Sequence, residues 1–140
     1  MQQEITVDNV LSVIKTAAFS NRNLVSEKHI EGKVADLLRV RFPAVHQQYN
    51  IGGYLGLKVD IDIGGGVVGI ELKLFSELTT VSIQRLFGQA IYYNKRVYRG
   101  NLIVLIIGDE KNGSTPMINE VASFLKDIGV HYCYLNTIKK

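Results

Sequence analysis

Two acidic residues and a lysine near the middle of the chain have the types and spacing needed for metal-assisted hydrolysis. Asp60 lies in residues 57–63, where apolar and polar residues alternate strictly. Glu71 and Lys73 lie in residues 67–74, which alternate at their end. Glycines separate the two segments. Alternating segments joined by glycines predict a β-hairpin, so we expect the three residues on paired strands.

The register of this hairpin decides its chemistry. A two-residue turn at positions 65–66 places Asp60 opposite Glu71, with Lys73 on the same face and side-chain carbons about 5 Å apart. Two carboxylates at that distance favour a cation, a shared proton or a lysine between them. A divalent ion such as Mg²⁺ or Mn²⁺ neutralises them best, because carboxylate oxygens suit both ions. Such a set could activate water and stabilise the charge of a phosphoryl transition state.

Other readings of the hairpin stay open at the level of sequence. A three-residue turn would place Asp60 opposite Ile70 and send Glu71 to the other face. The charged face could also simply meet solvent. Asp62 shares the face of Asp60 in the first register, and we interpret it as either a supporting group or a surface charge.

Helices and a strand are predicted before the hairpin. Asp8 can cap a first helix that reaches about Phe19. Ser26 can cap a second helix, which must end before Pro43 because the residue preceding proline is pushed out of the helical region. Residues 47–51 then form a short candidate strand.

The segments after the hairpin alternate between helix and strand. Thr79 or Thr80 begins a long helix to about Tyr98, whose predicted core face is Ile83, Leu86, Phe87, Ala90, Ile91 and Val97. Residues 101–107 form an apolar run typical of a buried strand. A helix from Thr115–Pro116 to about Ile128 and a strand over residues 130–135 complete the chain. This order predicts an α/β fold with a mixed sheet.

Composition narrows the class of protein. The chain has 140 residues, a length typical of one domain. Its single cysteine, Cys133, cannot form an intramolecular disulfide, and its longest apolar run is far shorter than the ~20 residues of a membrane span. We therefore expect a cytoplasmic protein without membrane contact. Residues 78–108 contain four basic residues and no acid, which suits a polyanionic partner.

The hairpin and its neighbours resemble a known nuclease family. Asp60, ten intervening residues and Glu71-Leu72-Lys73 are similar to the Asp…(Asp/Glu)-x-Lys signature of the PD-(D/E)xK superfamily, although Val59 replaces the proline of the name. The predicted order over residues 26–107 is similar to the αβββαβ core of its restriction-endonuclease-like fold. Residues 1–24 would then be a helical extension, and residues 108–140 a C-terminal helix and strand.

The resemblance implies specific roles at this site. Asp60 and Glu71 would bind Mg²⁺ or Mn²⁺, with the Leu72 carbonyl as a further ligand. Lys73 would contact the attacking water or the scissile phosphate. Many members of the superfamily add a glutamate from the preceding helix, and Glu31 is the candidate here. Glu27 is the alternative, although its position just after the Ser26 cap also favours an acid for helix stability alone.

The long helix carries a second resemblance. Gln89 and Tyr93 are similar to the Gln-x-x-x-Tyr motif of RecB-type members, and Arg85 and Arg96 lie on the same helical stripe. Such a stripe could bind phosphates and bases, or be the polar flank of an amphipathic helix. The predicted nucleic-acid-binding residues are Arg85, Gln89, Tyr93, Lys95, Arg96 and Arg99.

These expectations combine into a metal-dependent nuclease acting on DNA rather than RNA, with Asp60, Glu71, Lys73, Glu31 and Gln89 as catalytic residues. A homodimer or a partner protein would supply specificity. The alternatives are a nuclease-like module that binds nucleic acid without cleaving it, and a plain α/β interaction domain in which the hairpin acids are accidental.

Overall fold

The structure is a computed structural model that describes residues 2–20, 26–51 and 54–138. Within these ranges the four α-helices are α1 Val7–Ile14, α2 Glu27–Arg39, α3 Thr80–Tyr93 and α4 Pro116–Asp127. The five strands are β1 Val45–Asn50, β2 Lys58–Ile63, β3 Val68–Leu74, β4 Leu102–Gly108 and β5 His131–Asn136. The predicted α/β class and order of elements are confirmed.

The five strands form one mixed sheet in the order β1-β2-β3-β4-β5. Strands β1, β2 and β3 are antiparallel neighbours, whereas β3, β4 and β5 run parallel to one another. The parallel strands are joined through α3 and α4, as parallel connections require. Strand β4 lies at the centre of the parallel half and is buried along its whole length, as its continuous apolar run predicts.

The two faces of the sheet carry separate apolar cores. Helices α1 and α2 pack on one face, where β2 and β3 contribute Ile61, Ile63, Ile70, Leu72 and Leu74. Helices α3 and α4 pack on the other face, where the strands contribute Val59, Leu102, Val104 and Ile106. Since neighbouring residues of a strand point to opposite faces, this division explains why β4 is apolar at every position.

Helix starts are predicted well when a side-chain cap is present. Ser26 accepts a hydrogen bond from the backbone N–H of His29, as expected. Thr79 and Thr115 cap α3 and α4 in the same way. The prediction for α1 is wrong at the cap, because Thr6 rather than Asp8 accepts the hydrogen bond from Asn9.

The predicted end of α1 is also wrong. The helix stops at Ile14 and does not reach Phe19. The Thr16 hydroxyl donates to the Val13 carbonyl at 2.6 Å, and the Thr16 backbone N–H donates to the same oxygen. A threonine side chain that bonds a nearby carbonyl competes with the helical ladder, so the last turn tightens and the helix ends.

One residue of the predicted core face of α3 is wrong, whereas the others are buried or packed against the core. Leu86, Ala90 and Tyr93 are its buried residues, whereas Ile91 is 44% exposed. The interval of four and then three residues keeps the buried set on one face. Tyr93 therefore occupies the interior position that hydrophobicity alone assigned to Ile91.

The last turn of α3 is wider than an ordinary α-helical turn. Residues Asn94–Tyr98 continue the helix with π-helical geometry, and the Arg99 N–H donates to the Asn94 carbonyl at 2.6 Å. This turn buries Tyr98 against the sheet, as Tyr93 is buried one turn earlier. None of the described helices has the length and apolar character needed to cross a lipid bilayer.

Candidate active site

The hairpin of β2 and β3 has the register expected for a turn at positions 65–66. Ile61 pairs with Ile70, Asp62 with Gly69, and Ile63 with Val68. The regular pairing then stops, so that Asp60 lies where the two strands begin to separate. From this point, backbone N–H and C=O groups of β2 and β3 no longer pair with each other, although they lie inside the sheet and not at its outer edge.

Side chains satisfy the backbone groups at this separation. Asp60 Oδ2 accepts a hydrogen bond from the Leu72 N–H at 2.8 Å. Glu71 Oε1 accepts one from the Asp60 N–H at 3.1 Å. Each acid therefore binds the backbone of the opposite strand, and the two carboxylates are held beside each other by the hairpin itself.

Strand β1 is irregular at the same level. Gln48, which lies opposite Asp60, has a positive φ of 50°, and the pairing of β1 with β2 passes from Gln47–Ile61 to Tyr49–Val59 without it. A non-glycine residue with this φ is uncommon and marks a local distortion. Its amide Nε2 donates to Asp60 Oδ1 at 3.2 Å and to a glutamate of α2, so the distortion directs the amide into the site. Nothing in the sequence singled out Gln48.

That glutamate is Glu31, which is 4% exposed. Glu31 Oε1 accepts from Gln48 Nε2 at 2.7 Å, and Oε2 accepts from Gln47 Nε2 at 3.0 Å. The other predicted helix acid, Glu27, accepts from the Leu74 N–H at 3.1 Å through Oε2. Both glutamates line an open pocket of about 350 Å³ together with Lys28, Gln48 and Asp60. Both candidates from α2 therefore lie next to Asp60.

The carboxylates raise one another's proton affinity. Burial raises the pKa of Glu71 well above its ordinary value, and the charge of Asp60 raises it further. Burial likewise raises the pKa values of Asp60 and Glu27. The charge of Glu27 acts in the same direction on both hairpin acids, and the charge of Lys73 acts against all three. The site thus holds more negative charge than its own lysine offsets.

Helix α3 brings Tyr93 to this cluster. Its hydroxyl donates to the Lys58 carbonyl at 3.1 Å, two residues before Asp60. Burial raises the pKa of Tyr93 to about 12, with smaller contributions from the charges of Glu71 and Asp60 and an opposing one from a hydrogen bond with Gln89. The Gln89 Oε1 atom is buried without a hydrogen-bond partner among the described residues. Tyr93, which the sequence predicts to bind nucleic acid, is 1% exposed, so its ring is buried near Asp60 and Glu71 and not open to a bound strand, and Gln89 lies next to it.

The basic residues of the same helix lie elsewhere. Arg85, Lys95, Arg96 and Arg99 are all exposed. Arg96 lies 6.0 Å from the centre of the Tyr92 ring, and Arg99 ends the helix with a φ of 46°. Within the described residues, no hydrogen bond or ion pair connects these four side chains to the carboxylates. They form a positively charged border around the outside of α3 rather than part of the cluster.

The interpretation of Asp62 as a surface charge is wrong. Its side chain is 0% exposed and accepts hydrogen bonds from Gly65 N and Gly66 N, both at 2.8 Å. The Tyr98 hydroxyl donates a third bond at 2.7 Å. Burial of a charge is tolerated when several donors satisfy it, and three consecutive turn glycines with positive φ supply two of them. Asp62 therefore fixes the hairpin turn that sets the position of Asp60.

The donor types suit a hard divalent cation. Glu27 and Asp60, whose pKa values are raised, line one pocket with Glu31, and the buried Glu71 lies against the Asp60 backbone. Oxygen ligands of this kind are the ones Mg²⁺ and Mn²⁺ prefer. Within residues 2–20, 26–51 and 54–138, however, no group of three or more His, Cys, Asp or Glu side chains is already arranged as a metal-ligand set. Hydrogen bonds to the backbone occupy one oxygen each of Glu27, Asp60 and Glu71.

Comparisons with known proteins add no relative to this picture. No family model, no curated protein and no solved structure matches the chain. The chemistry of the site must therefore be argued from its own residues: a buried carboxylate pair, a neighbouring lysine, and a helix that contributes an amide and a phenol.

Proposed function

We propose that this protein is a divalent-metal-dependent nuclease with a restriction-endonuclease-like fold, which hydrolyses phosphodiester bonds in DNA. The observation that supports this most is the pair of cross-strand hydrogen bonds at the point where β2 and β3 separate: the Asp60 N–H donates to Glu71, and the Leu72 N–H donates to Asp60. Two carboxylates forced together beside a lysine are costly for folding alone, since like charges destabilise a strand pair. This cost is explained if the two carboxylates bind a cation that acts on a phosphate.

The ligands of the metal would come from the hairpin and from α2. Asp60, Glu71 and the Leu72 carbonyl would hold Mg²⁺ or Mn²⁺, with Glu31 or Glu27 as the further acid. Such an ion supplies a more acidic water and neutralises charge on the phosphate. Because Glu27 acts electrostatically on both hairpin acids while Glu31 reaches Asp60 through Gln48, the two glutamates have different parts: Glu27 adds charge and Glu31 orients the amide.

Lys73 would stabilise the charge that develops on the phosphate. It lies two residues beyond Glu71 on β3, and its side chain is partly exposed, so that it can contact both the carboxylates and a bound strand. Its charge lowers the pKa values of all three acids. A preorganised cation at the reacting group is the kind of interaction that lowers a charged transition state.

Gln89 and Tyr93 would support the site from α3 rather than touch the substrate strand. Tyr93 is 1% exposed and donates its hydroxyl to the Lys58 carbonyl, and Gln89 forms a hydrogen bond with Tyr93. The pair would hold the start of β2 in position beside Asp60. The exposed basic residues of α3 would contact backbone phosphates outside the pocket, which strengthens binding without reading sequence.

One observation favours a second candidate, a nuclease-like module that binds nucleic acid without cleaving it. The hairpin carboxylates are already hydrogen bonded to backbone N–H groups, and no complete ligand set is formed among the described residues. A site fixed in that arrangement would retain its basic border and lose turnover.

A cleavage assay separates these candidates. We would incubate the protein with single-stranded, duplex and branched DNA, and with RNA of the same sequence, in Mg²⁺, Mn²⁺ or a chelator. The wild type should cleave DNA only with metal, and Lys73→Ala should lower the rate by on the order of a hundredfold or more. Lys126→Ala, which removes an exposed lysine of α4, is the matched control and should cleave normally.

Two results would count against the proposal. Cleavage that persists in the chelator, or in Lys73→Ala at the wild-type rate, would eliminate the mechanism. Salt-sensitive binding without cleavage would select the binding module, because phosphate contacts weaken as salt rises.

A further inference from the structure

Two large apolar residues are exposed to solvent at one end of the sheet. Tyr54 is fully exposed and Leu55 is 70% exposed, and they are adjacent in the connection between β1 and β2. Gly56 follows with a φ of 60°, so the chain turns sharply there. Single exposed apolar residues are common on protein surfaces. A tyrosine that packs against none of the described residues, next to a leucine that is mostly exposed, is a pair that a ligand could cover.

The pair lies at the end of the sheet that holds the carboxylates. Asn50 pairs with Lys58, and the Ile51 N–H donates to the Leu57 carbonyl at 3.1 Å, which closes the base of the connection. Lys58 begins β2 and accepts the hydroxyl of Tyr93 on its carbonyl. The connection therefore projects from the level of the α3 tyrosine.

Other site residues lie at the same end of the sheet. Strand β3 is antiparallel to β2, so its last residues lie at the end where β2 begins. Those residues include Lys73 and Leu74, and Leu74 donates to Glu27 at the start of α2. The carboxylates, the lysine and the exposed pair are thus found at one end of the molecule, away from the glycine turn.

The distance between the pair and the site suits a short length of nucleic acid. Tyr54 precedes Asp60 by six residues, and six residues span at most about 20 Å. Successive stacked nucleotides of one strand are 3.4 Å apart, so this span covers at most about six nucleotides. A strand whose scissile phosphate lies at Asp60 could place one of its next few bases on the Tyr54 ring.

Charge selects the class of ligand. Residues 45–59 contain no acidic residue, and the exposed Lys58 lies four residues from Tyr54. An aromatic ring beside a lysine is suited to a base with its phosphate, since stacking binds the base and the lysine binds the backbone. A base inside a duplex has both faces covered by its neighbours and offers no face to the ring.

We propose that Tyr54 is a stacking platform for an unpaired base, which makes single-stranded DNA, or the unpaired part of a branched DNA, the substrate of this site. The inference rests on the proposed nuclease function and adds the substrate class to it. Leu55 packs against the edge of the same base or its sugar. Specificity for unpaired DNA then follows from the exposed ring of Tyr54 and needs no reading of base sequence.

Binding measurements without turnover test this directly. The probes are a labelled single strand of about 12 nucleotides and the blunt duplex of the same sequence, titrated in Ca²⁺ and in a chelator. Tyr54→Ala should weaken single-strand binding about 5- to 100-fold, the range expected for loss of one base–aromatic stack, and change duplex binding less than about twofold. Tyr54→Phe should bind the single strand like the wild type because it keeps the ring.

Val81→Ala is the matched control, since Val81 is another exposed apolar residue, 63% exposed on α3. It should leave both affinities unchanged. A fluorescent base analogue placed along the strand should be quenched at one position within about six nucleotides of the cleavage point in the wild type, and not in Tyr54→Ala.

The outcomes distinguish a failure of the Tyr54 stacking platform from a failure of the proposed nuclease function. If the wild type cleaves DNA or binds the single strand, and Tyr54→Ala binds it equally well, the stacking platform is eliminated and the nuclease remains. Equal losses on single strand and duplex would also eliminate it, because an unpaired base would not be the group recognised. If the wild type binds neither probe and cleaves neither, both proposals fail. Tight binding of the duplex alone would overturn the substrate class.

Discussion

Two aspartates of one strand have opposite surroundings. Asp62 lies at the turn end of β2, fully buried, with three donors on its carboxylate. Asp60 lies two residues earlier, where the strands separate, and shares its pocket with other acids whose charges act against its own. The same residue type is satisfied at one end of the hairpin and crowded with like charge at the other.

The difference shows how one hairpin can fold stably although it holds two acids close together. Backbone N–H groups of the glycine turn and the Tyr98 hydroxyl supply Asp62 with all the donors that it needs, so the turn end is a stable anchor. Asp60 and Glu71 receive one backbone donor each and remain close to each other. Well-satisfied polar groups stabilise a fold, whereas acids held close together with raised pKa values mark a candidate functional site.

The largest effect on stability should come from the turn end. Asp62→Ala removes an acceptor from two N–H groups and one hydroxyl in the interior, so we expect a loss of about 3 kcal/mol or more in the free energy of unfolding. Urea denaturation of this variant and of Asp60→Ala, without metal, measures the contrast. Asp60→Ala should lose much less, because it also relieves repulsion. Equal losses in the two variants would contradict the division between anchor and site.

A smaller effect should appear at the open end when metal is added. Mg²⁺ at about one hundred times its dissociation constant should stabilise the folded protein by about 2.7 kcal/mol. Thermal unfolding with Mg²⁺ and with chelator measures this shift. Asp60→Asn should abolish it, while Asp62→Asn should start from a lower melting temperature and keep it. A shift that survives in Asp60→Asn would place the ion elsewhere.

The smallest effect concerns Glu71 alone. Because burial and Asp60 raise its pKa in the folded state above the ordinary 4.5, the folded protein binds the proton more tightly than the unfolded chain. Its contribution to stability is therefore greatest below pH 4.5 and is lost as the pH rises through the raised pKa. Glu71→Gln does not titrate, so in chelator it should exceed the wild type by about 1 kcal/mol at neutral pH.

That gain should shrink as the pH falls towards the ordinary pKa of a glutamate. Urea midpoints across this pH range, in chelator throughout, give the difference directly. A difference that does not depend on pH would show that packing rather than charge distinguishes the two side chains.

Much of this arrangement can be predicted from local patterns. The alternation in β2 and β3 predicts the hairpin. The glycine triplet predicts its turn but leaves a two-residue and a three-residue turn open, and the folded protein has the register of the two-residue turn. The caps at Ser26, Thr79 and Thr115 predict where helices begin. The spacing of Gln89 and Tyr93 predicts a shared face. Each of these signals lies within a few residues of the feature that it specifies.

The remainder depends on contacts between distant segments. Gln48 contacts Asp60 because its φ is positive, and a glutamine gives no sign of this in the sequence. Asp62 is held in the interior because Tyr98, 36 residues later, donates a hydrogen bond to it. The choice between Glu27 and Glu31 depends on how α2 lies across the sheet, and both reach the pocket. The end of α1 depends on one threonine hydroxyl. Sequence periodicity does not encode such long-range or single-bond effects.

The wide turn at Asn94–Tyr98 has a consequence for insertions and deletions. Tyr93 touches the open end of the hairpin through Lys58, and Tyr98, five residues later, touches the turn end through Asp62. In an ordinary α-helix, residues five apart point about 140° away from each other, whereas a turn closed by an i to i+5 bond brings them nearly into line. Deleting one residue between the two tyrosines would keep the helix but break its contact with one end of the hairpin. The spacer of four residues between the two tyrosines is therefore the length that lets one helix contact both ends of the hairpin at once.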